Sequence, residues 1–256
     1  MKKHLLNITS NIEIARNIFE MKLTGPGVGS MTTPGQFLHV SVGNQSSKLL
    51  RRPLSICDVD LERKEVTLLY RAQGEGTKQL SHKHEGEVVD VLGPLGNGFE
   101  LAEMDKNKHA LLIGGGIGVP PLYYLGKHLK KKGIEVTFIL GYQSIEDSFY
   151  IEKFKEIGET IVTTVDGSLG IKGFVTDAMM NVVENEPVIY SVGPAIMLKA
   201  VEERAVGLRG YLSLEERMGC GIGACFACVC PTKTRESGYV KICSDGPVFK
   251  MGEVVL

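Results

Sequence analysis

Hydrophobic and polar positions alternate over short stretches in the first hundred residues of the chain. Residues 37–42, 65–70 and 87–92 follow this two-residue period, which is typical of strands with one buried face. Turn-forming glycine and proline lie beside them, at Gly25-Pro26-Gly27, Pro34-Gly35 and Gly93-Pro94. Several short strands separated by turns predict a small antiparallel β-barrel, which we assign to residues 1–101.

The pattern changes near residue 108, where continuous apolar runs replace the alternation. Strands of a parallel sheet have this character because helices cover both faces of the sheet. The strand candidates are residues 110–113, 136–140, 160–165, 188–192 and 211–214, and the helix candidates are residues 123–132, 150–157, 175–184 and 195–206. Strands that alternate with helices predict a doubly wound parallel α/β sheet, which we assign to residues 102–212.

Composition and charge narrow the class of protein. The chain has 256 residues, of which 43% are hydrophobic and 23% charged, and its formal net charge is −1. This near-neutral charge argues against nucleic acid or an anionic membrane as the main partner. No apolar run reaches the roughly 18 residues of a membrane span, and the N-terminus lacks the apolar region of a secretory signal. We therefore expect a cytoplasmic globular protein.

Five of the six cysteines lie between residues 220 and 243, which indicates metal or redox chemistry in a chain of this length. Four of them, Cys220, Cys225, Cys228 and Cys243, have C-x4-C-x2-C spacing with a distant fourth cysteine. This is the plant-type pattern for a [2Fe–2S] cluster. Structural zinc is the rival interpretation, but zinc sites usually pair two C-x2-C units and this chain has one.

The cysteine-rich segment, residues 213–256, is too short to form an independent core, so we expect it to fold around its cluster as a third, small domain. Cys230 could in principle replace one of the four ligands, but its spacing departs from the pattern. We interpret Cys230 and Cys57 as small buried hydrophobic side chains.

Two motifs in the predicted barrel are suited to bind a diphosphate. The first is Arg52-Pro53-Leu54-Ser55, in which the guanidinium can form bidentate hydrogen bonds with phosphate. The second is Gly76-Thr77, which follows a strand and would open a short helix with free N–H groups. Taken singly, the first motif is common by chance and the second is an ordinary turn.

Two glycine-containing turns follow strands of the predicted parallel sheet. The first contains Gly114, Gly115, Gly116 and Gly118, between a strand and a helix that begins with proline, where backbone amides can approach a pyrophosphate. The second is Gly193-Pro194, which also follows a strand. Plain turns that connect strand to helix explain either motif as well.

Two carboxylates, Glu146 and Asp147, follow the second strand of this sheet, and no arginine stands beside them in the sequence. They would repel a 2′-phosphate, which favours NAD(H) over NADP(H). Alternatively, Asp147 caps the next helix.

Together the barrel motifs resemble those of the ferredoxin reductase family. The chain as a whole resembles the iron–sulfur flavoprotein subunits of class B dihydroorotate dehydrogenases. The matching segments are residues 52–55, 114–121, 213–218 and 243–249. The resemblance implies FAD contacts from Arg52, Pro53, Leu54, Ser55, Leu69, Tyr70, Arg71, Gly76 and Thr77, and a nicotinamide beside Gly193 and Pro194. Many family members have tyrosine where this chain has Leu54, so flavin stacking there would be aliphatic.

The resemblance implies an electron-transfer subunit of pyrimidine biosynthesis. Its partner would be the FMN-containing subunit that oxidises dihydroorotate, in a heterotetramer with two copies of each chain. Electrons would pass singly through the [2Fe–2S] cluster to FAD and leave as hydride to NAD+, because a flavin exchanges one electron or two. We expect no side chain of this chain to act as a catalytic acid or base.

Two alternatives stay open at the level of the sequence. One is a related reductase subunit of the NAD(P)H:ferredoxin or sulfide dehydrogenase type. The other is a non-catalytic sensor that binds flavin and metal.

Overall fold

The computed structural model describes residues 2–43, 50–101, 109–180, 182–183 and 186–256, and its N-terminal part is a closed β-barrel. The barrel strands are β1 (Lys2–Ala15), β2 (Ile18–Thr24), β3 (Phe37–Val40), β4 (Arg52–Asp60), β5 (Glu65–Arg71) and β6 (Val88–Leu95). They pair antiparallel in the closed order β1-β2-β5-β4-β3-β6. Helix α1 (Glu75–Ser81) follows β5. The antiparallel barrel expected from the alternating pattern is confirmed.

Strands β1 and β6 show where the sequence pattern failed. Most residues of β1 are exposed or half-buried, so its alternation is too weak to mark a strand. The turn predicted at Gly93-Pro94 is wrong, because both residues lie inside β6. Gly93 lets β6 pass close to β3, since a Cβ atom at this position would lie 2.4 Å from Cδ2 of Leu38.

The second part of the chain is a sheet with helices on both faces. Its strands are β7 (Ala110–Gly115), β8 (Val136–Tyr142), β9 (Glu159–Thr164), β10 (Ile171–Lys172), β11 (Val188–Val192) and β12 (Gly210–Ser213). Its helices are α2 (Pro120–Lys131), α3 (Ile151–Lys155), α4 (Val175–Met179) and α5 (Ala195–Arg204). These strands are parallel and ordered β10-β9-β8-β7-β11-β12. The helix predicted over 175–184 ends at Met179, and Glu184 lies outside the described residues.

Successive residues of the central strand β7 are buried against helices on opposite faces of the sheet. Leu112 belongs to the apolar cluster that contains Leu125 of α2, whereas Ile113 packs with Met179 of α4 and Val201 of α5. Burial on both faces explains the continuous apolar run in the sequence. The doubly wound sheet is therefore confirmed.

The C-terminal segment packs against both preceding parts. It contains the antiparallel pair β13 (Val229–Pro231) and β14 (Tyr239–Lys241), followed by β15 (Val248–Lys250). Strand β15 pairs antiparallel with β12 and so extends the larger sheet to seven strands. Its core combines Ile242 and Phe249 with Phe37 of the barrel and Leu212 of the sheet. The domain boundaries at residues 101 and 212 remain a proposal. Strand β15 belongs to the third segment but pairs with β12 of the second.

The barrel and the sheet share an apolar contact and several polar links. Ile18 and Leu69 of the barrel lie in the same buried cluster as Leu122 of α2. Lys127 donates to both carboxylate oxygens of Asp58 at 2.7 Å. Among the described helices, none is long and apolar enough to cross a membrane.

Candidate cofactor and electron-transfer site

The four patterned cysteines come together in one loop and the turn after β14. Three lie between β12 and β13, and Cys243 follows β14. The sulfurs of Cys228 and Cys243 are 3.2 Å apart. Cys220 and Cys225 form a second pair, in which the backbone N–H of each lies 3.3–3.4 Å from the sulfur of the other.

This arrangement fits a two-iron cluster. Within the described residues, no three metal-binding side chains converge on a single ion; the cysteines form two pairs instead. A [2Fe–2S] cluster needs four thiolates shared between its two irons. Backbone N–H groups of Ile222 and Gly223 also point at the sulfurs of Cys220 and Cys243, at 3.4 and 3.2 Å. The proposed ligands remain Cys220, Cys225, Cys228 and Cys243.

The thiols of this loop differ in acidity. Burial opposes ionisation of Cys220, but the N–H groups of Ile222 and Cys225 outweigh it and lower its pKa to about 6. Burial, and then the neighbouring Cys228 thiol, raise the pKa of Cys243 to about 12. Donors aimed at sulfur favour the thiolate form, which is the form that binds iron.

The cluster loop lies directly on the barrel. Gly221 has a φ of +71°, and a Cβ atom there would lie 2.6 Å from Nδ1 of the buried His39 on β3. Glycine at this position therefore satisfies both the backbone conformation and the close approach. On the other side of the loop, Nδ2 of Asn97 donates to the carbonyls of Ser244 and Asp245 at 3.0 Å.

The two predicted diphosphate-binding motifs of the barrel are in contact in the structure. The guanidinium of Arg52 lies over Gly76 in the first turn of α1, where a Cβ atom would be 2.8 Å from Nε of Arg52. Nη1 of Arg52 donates to the carbonyl of Leu50 at 2.6 Å. A larger residue at position 76 would displace the guanidinium, which explains why glycine occurs there.

The Thr77 side chain forms hydrogen bonds with the backbone of Gly74. Its hydroxyl accepts from the N–H of Gly74 at 3.2 Å and lies 3.1 Å from the carbonyl of the same residue. These bonds cap α1, which begins at Glu75, one residue before the expected start. Its contact with FAD stays a prediction.

The other proposed flavin residues divide between two environments. Leu54 and Tyr70 lie in the barrel core, where the Tyr70 ring stacks on Phe19 at 5.7 Å and its hydroxyl donates to Asn11. Pro53 and Ser55 are half-buried. An aliphatic Leu54 thus fills the barrel interior, and its flavin contact remains a proposal.

A cleft of about 650 Å³ opens at the carboxyl ends of the parallel strands. The predicted residues that line it are Arg71, Gly115, Gly116, Gly118 and Pro194. Gly118 packs against the second turn, since a Cβ atom there would lie 2.7 Å from Cα of Gly193. Gly114 instead lies under α2, where a Cβ atom would meet Leu122 and Val119 at 2.9 Å. A crevice at this end of a parallel sheet is the usual place for a dinucleotide.

Two buried polar atoms of the cleft walls have no hydrogen-bond partner among the described residues. They are Nε of Arg71 and the hydroxyl of Thr163. Buried polar groups are normally satisfied, so both fit a cleft that binds a polar ligand. Thr163 was not predicted, because a threonine within a strand has no local sequence pattern that marks it as a ligand.

An arginine does reach the carboxylates that follow β8, contrary to the sequence expectation. Arg16, from the turn between β1 and β2, donates to Asp147 through Nε at 3.2 Å and Nη2 at 2.6 Å. Its Nη1 lies 2.6 Å from Glu146. Asp147 does not cap α3, which begins after Tyr150 and has no side-chain cap. Of the two carboxylates, Asp147 lines the cleft, and Arg71 lines it as well.

We expect Arg16→Ala to lower the free energy of unfolding at pH 7, because the buried Asp147 loses its charged partner. Burial would raise the pKa of Asp147, but Arg16 and Ser144 outweigh it and hold that pKa below its ordinary value of 3.8. The contribution is therefore complete above pH 3.8 and is lost as the pH falls through the folded-state pKa. Urea unfolding over a pH series measures the difference between the variant and the wild type.

The matched control for Arg16 is Lys155→Ala, which removes an exposed ion pair with Glu152. Such pairs contribute about 0–1 kcal/mol. A loss in Arg16→Ala that stays the same from pH 7 to pH 3 would contradict the assignment to Asp147.

Three features define an iron–sulfur flavoprotein of the ferredoxin reductase fold. They are the barrel with an arginine over a helix start, the cleft at the ends of the parallel strands, and the four-cysteine loop. A sequence model of the "iron-sulfur cluster binding domain of dihydroorotate dehydrogenase B" matches residues 215–255. The chain is 55% identical, over the full length of both proteins, to the dihydroorotate dehydrogenase B (NAD(+)) electron transfer subunits of Bacillus cereus (strain B4264) and Geobacillus sp. (strain WCH70). It therefore belongs to the family of dihydroorotate dehydrogenase B electron transfer subunits.

Solved structures of other reductases share this fold. A chain of an NADH-dependent reduced ferredoxin-NADP oxidoreductase superposes with a TM-score of 0.85 at 34% identity, covering 98% of this chain and 90% of that one. The ferredoxin reductase of carbazole 1,9a-dioxygenase shares the fold at a TM-score of 0.65 and 16% identity, covering 81% of this chain and 66% of its own.

Proposed function

We propose that the chain carries electrons from the FMN of a dihydroorotate-oxidising partner subunit through a [2Fe–2S] cluster and FAD to NAD+. The observation that carries this proposal is the position of the cysteine loop. It rests on the barrel through Gly221 and His39, and its opposite face is open to solvent. A cluster there would lie between a flavin in the barrel and a second flavoprotein outside.

The outer face of the loop supports docking of a partner. Phe226 is 61% exposed and packs edge-on against Tyr239 at 5.6 Å, and Ile222 is also exposed. Nζ of Lys241 lies 4.5 Å from the centre of the Phe226 ring. An exposed apolar group beside a redox centre is typical of a protein–protein contact. We propose a heterotetramer of two chains of each subunit.

The order of the cofactors follows from their chemistry. A [2Fe–2S] cluster transfers one electron at a time and nicotinamide accepts a hydride, so FAD, which can do either, has to stand between them. In this scheme Arg52 and the first turn of α1 hold the FAD diphosphate. Arg71 and Thr163 face the nucleotides in the cleft.

The dihydroorotate oxidation that this electron pathway serves is a step of pyrimidine biosynthesis. All six cysteines are free, which fits a reducing compartment, so we propose the cytoplasm.

The related ferredoxin-NADP oxidoreductase is the main competing function. That structure is 34% identical to this chain, whereas the dihydroorotate dehydrogenase B electron transfer subunit of Bacillus cereus (strain B4264) is 55% identical. Arg16 is paired with both Glu146 and Asp147, so its charge is already engaged by carboxylates rather than by a 2′-phosphate.

We expect NADH to bleach the FAD absorption of the isolated holoprotein at about 1–10³ per second in stopped-flow mixing, as in ordinary enzyme turnover. NADPH should do so much more slowly. The isolated chain should not oxidise dihydroorotate until the FMN subunit is added.

Each outcome separates one of the functions. A flavin that NADH does not reduce would indicate a sensor, and faster reduction by NADPH would favour the ferredoxin-NADP type. Dihydroorotate turnover by the isolated chain would contradict the need for a partner.

A further inference from the structure

The cleft at the carboxyl ends of the parallel strands is bordered by a loop that contacts the barrel. We call residues 143–150, between β8 and α3, the cleft loop, and its Gln143 and Asp147 line the cleft. On the proposed function, on which this inference rests, the cleft binds NAD(H). A loop that lines a binding site positions its ligand well only if neighbouring residues fix the shape of the loop.

The barrel hairpin formed by β1 and β2 contacts the cleft loop at two places. In the middle of the loop, the backbone N–H of Arg16 donates to the carbonyl of Glu146 at 3.0 Å, and its guanidinium donates to Asp147 at 2.6 Å. At the end of the loop, the hydroxyl of Tyr150 donates to the carboxylate of Glu20 on β2. One hairpin of the barrel therefore holds the loop at both points.

Glu20 is a buried carboxylate with charged neighbours. It is 6% exposed, and Nζ of Lys153 and Nζ of Lys22 lie 3.2 and 3.9 Å from its oxygens. Burial raises the pKa of Tyr150, so the hydroxyl keeps its proton and is the donor in its bond with Glu20. A buried carboxylate needs charged or hydrogen-bonding partners, so the Tyr150 hydroxyl is held at Glu20.

Tyr150 ends the cleft loop in a backbone conformation that few side chains adopt. Its φ is +61° and its ψ is 7°, in the left-handed region that is unfavourable for residues other than glycine. Its ring packs edge-on against Tyr123 of α2 at 5.5 Å, and Nζ of Lys153 lies 3.7 Å from the ring centre. Such a conformation persists where surrounding contacts impose it, and the bond to Glu20 joins it to the barrel.

We propose that Glu20 and Tyr150 are positioning residues that hold the cleft loop in the shape that binds NAD(H). Neither is among the described residues that line the cleft, so both act through the loop. Just before the loop, the hydroxyl of Tyr142 donates to the carbonyl of Phe149 at 2.9 Å, which joins its two ends. Loss of the Glu20 contact should therefore disturb the exchange of hydride with NAD(H). Electron flow from the partner subunit to FAD does not use the cleft and should continue.

Tyr124 offers a matched control. It lies on α2, is 4% exposed, and donates its hydroxyl to the carbonyl of Met31 in the barrel part of the chain at 3.2 Å. Tyr124→Phe therefore removes a tyrosine hydroxyl bond between the same two parts of the protein, away from the cleft loop. A general loosening of the contact between barrel and sheet would affect Tyr124→Phe and Tyr150→Phe alike.

The test uses the complete complex with its partner subunit and compares the wild type with Tyr150→Phe, Glu20→Gln and Tyr124→Phe. Visible absorption first establishes that each variant retains FAD and the cluster. Stopped-flow mixing then measures two rates of FAD reduction, one with NADH and one with dihydroorotate in the absence of NAD+. Hydrogen–deuterium exchange with mass spectrometry measures the protection of backbone amides in residues 143–150.

We expect Tyr150→Phe to slow the reduction of FAD by NADH about 10- to 100-fold, because a small displacement of a binding group misplaces the reactants. Reduction by dihydroorotate should match the wild type. Glu20→Gln should show the same selective loss more weakly, since its amide oxygen still accepts from Tyr150 but no longer attracts Lys153. Exchange in the cleft loop should be faster in both variants, and Tyr124→Phe should match the wild type in all three measurements.

Equal slowing of both reductions in Tyr150→Phe, an unchanged rate with NADH, or unchanged exchange in the cleft loop would overturn the proposal. The same selective loss in Tyr124→Phe would overturn it too. Failure of the proposed function would look different, because NADH or dihydroorotate would then fail to reduce FAD in the wild type. If Tyr150→Phe loses its FAD, Glu20→Gln decides by the same comparison of the two rates.

Discussion

Replacing Cys228 with serine should remove the iron–sulfur absorption of the protein and stop electron flow from the partner subunit to FAD. The Cys228 side chain is only 1% exposed, and its sulfur lies 3.2 Å from that of Cys243, so this ligand position is shielded from solvent. Losing even a residue that supports a metal ligand costs about 10- to 100-fold in metal affinity, so loss of a ligand should exceed about 100-fold. Iron and sulfide content and the visible spectrum measure the effect.

Cys230→Ser is the matched control for this experiment. Cys230 lies two residues further on, is buried, and its sulfur is 3.7 Å from the carbonyls of Pro231 and Val255. It should keep both the cluster and electron transfer. Reduction of FAD by NADH should survive in Cys228→Ser, because hydride transfer does not pass through the cluster. A Cys228→Ser protein with full iron content would disprove the ligand assignment.

The second large effect should follow from removing Arg52. Together with Thr77→Ala, Arg52→Ala should yield protein that purifies without flavin. A hydrogen bond to a charged group contributes about 1.5–3 kcal/mol, so the arginine alone should account for roughly 10- to 150-fold in FAD affinity. Flavin fluorescence released from the denatured protein gives the occupancy.

Single variants separate the two residues of this motif. Thr77→Ala alone removes the cap of α1 and should lower stability by about 1 kcal/mol, whether or not the hydroxyl also contacts FAD. Arg52→Lys keeps the charge but not the fork, so it should bind FAD with intermediate affinity. Arg63→Ala is the control on the same barrel, since Arg63 is 78% exposed beside Asp60. Full flavin occupancy in the double variant would refute the proposed site.

The parts of the site that could be predicted are those whose chemistry is local. The cysteine spacing sets how four thiolates can surround a small cluster, and the structure gathers those thiols in two pairs. The continuous apolar run of β7 indicated a buried parallel strand, because burial on both faces leaves no alternation.

Other features depend on contacts between distant residues. Arg16 meets Asp147 across 131 positions, so no local reading could place an arginine there. The sequence therefore indicated the two carboxylates but not the arginine that pairs with them. Gly76 illustrates the same point, because its need for glycine comes from the Arg52 side chain rather than from its own turn.

The sequence by itself determined the two fold classes, the spacing of the four cysteines proposed as cluster ligands and the glycine turns at the strand ends. These follow from periodicity and short-range spacing, which a chain carries wherever its segments come to lie. Only the tertiary structure decided that β15 completes the sheet, that His39 supports the cysteine loop, and that Arg16 reaches Asp147. Those relations depend on how separate segments pack, and packing is set by the whole chain at once.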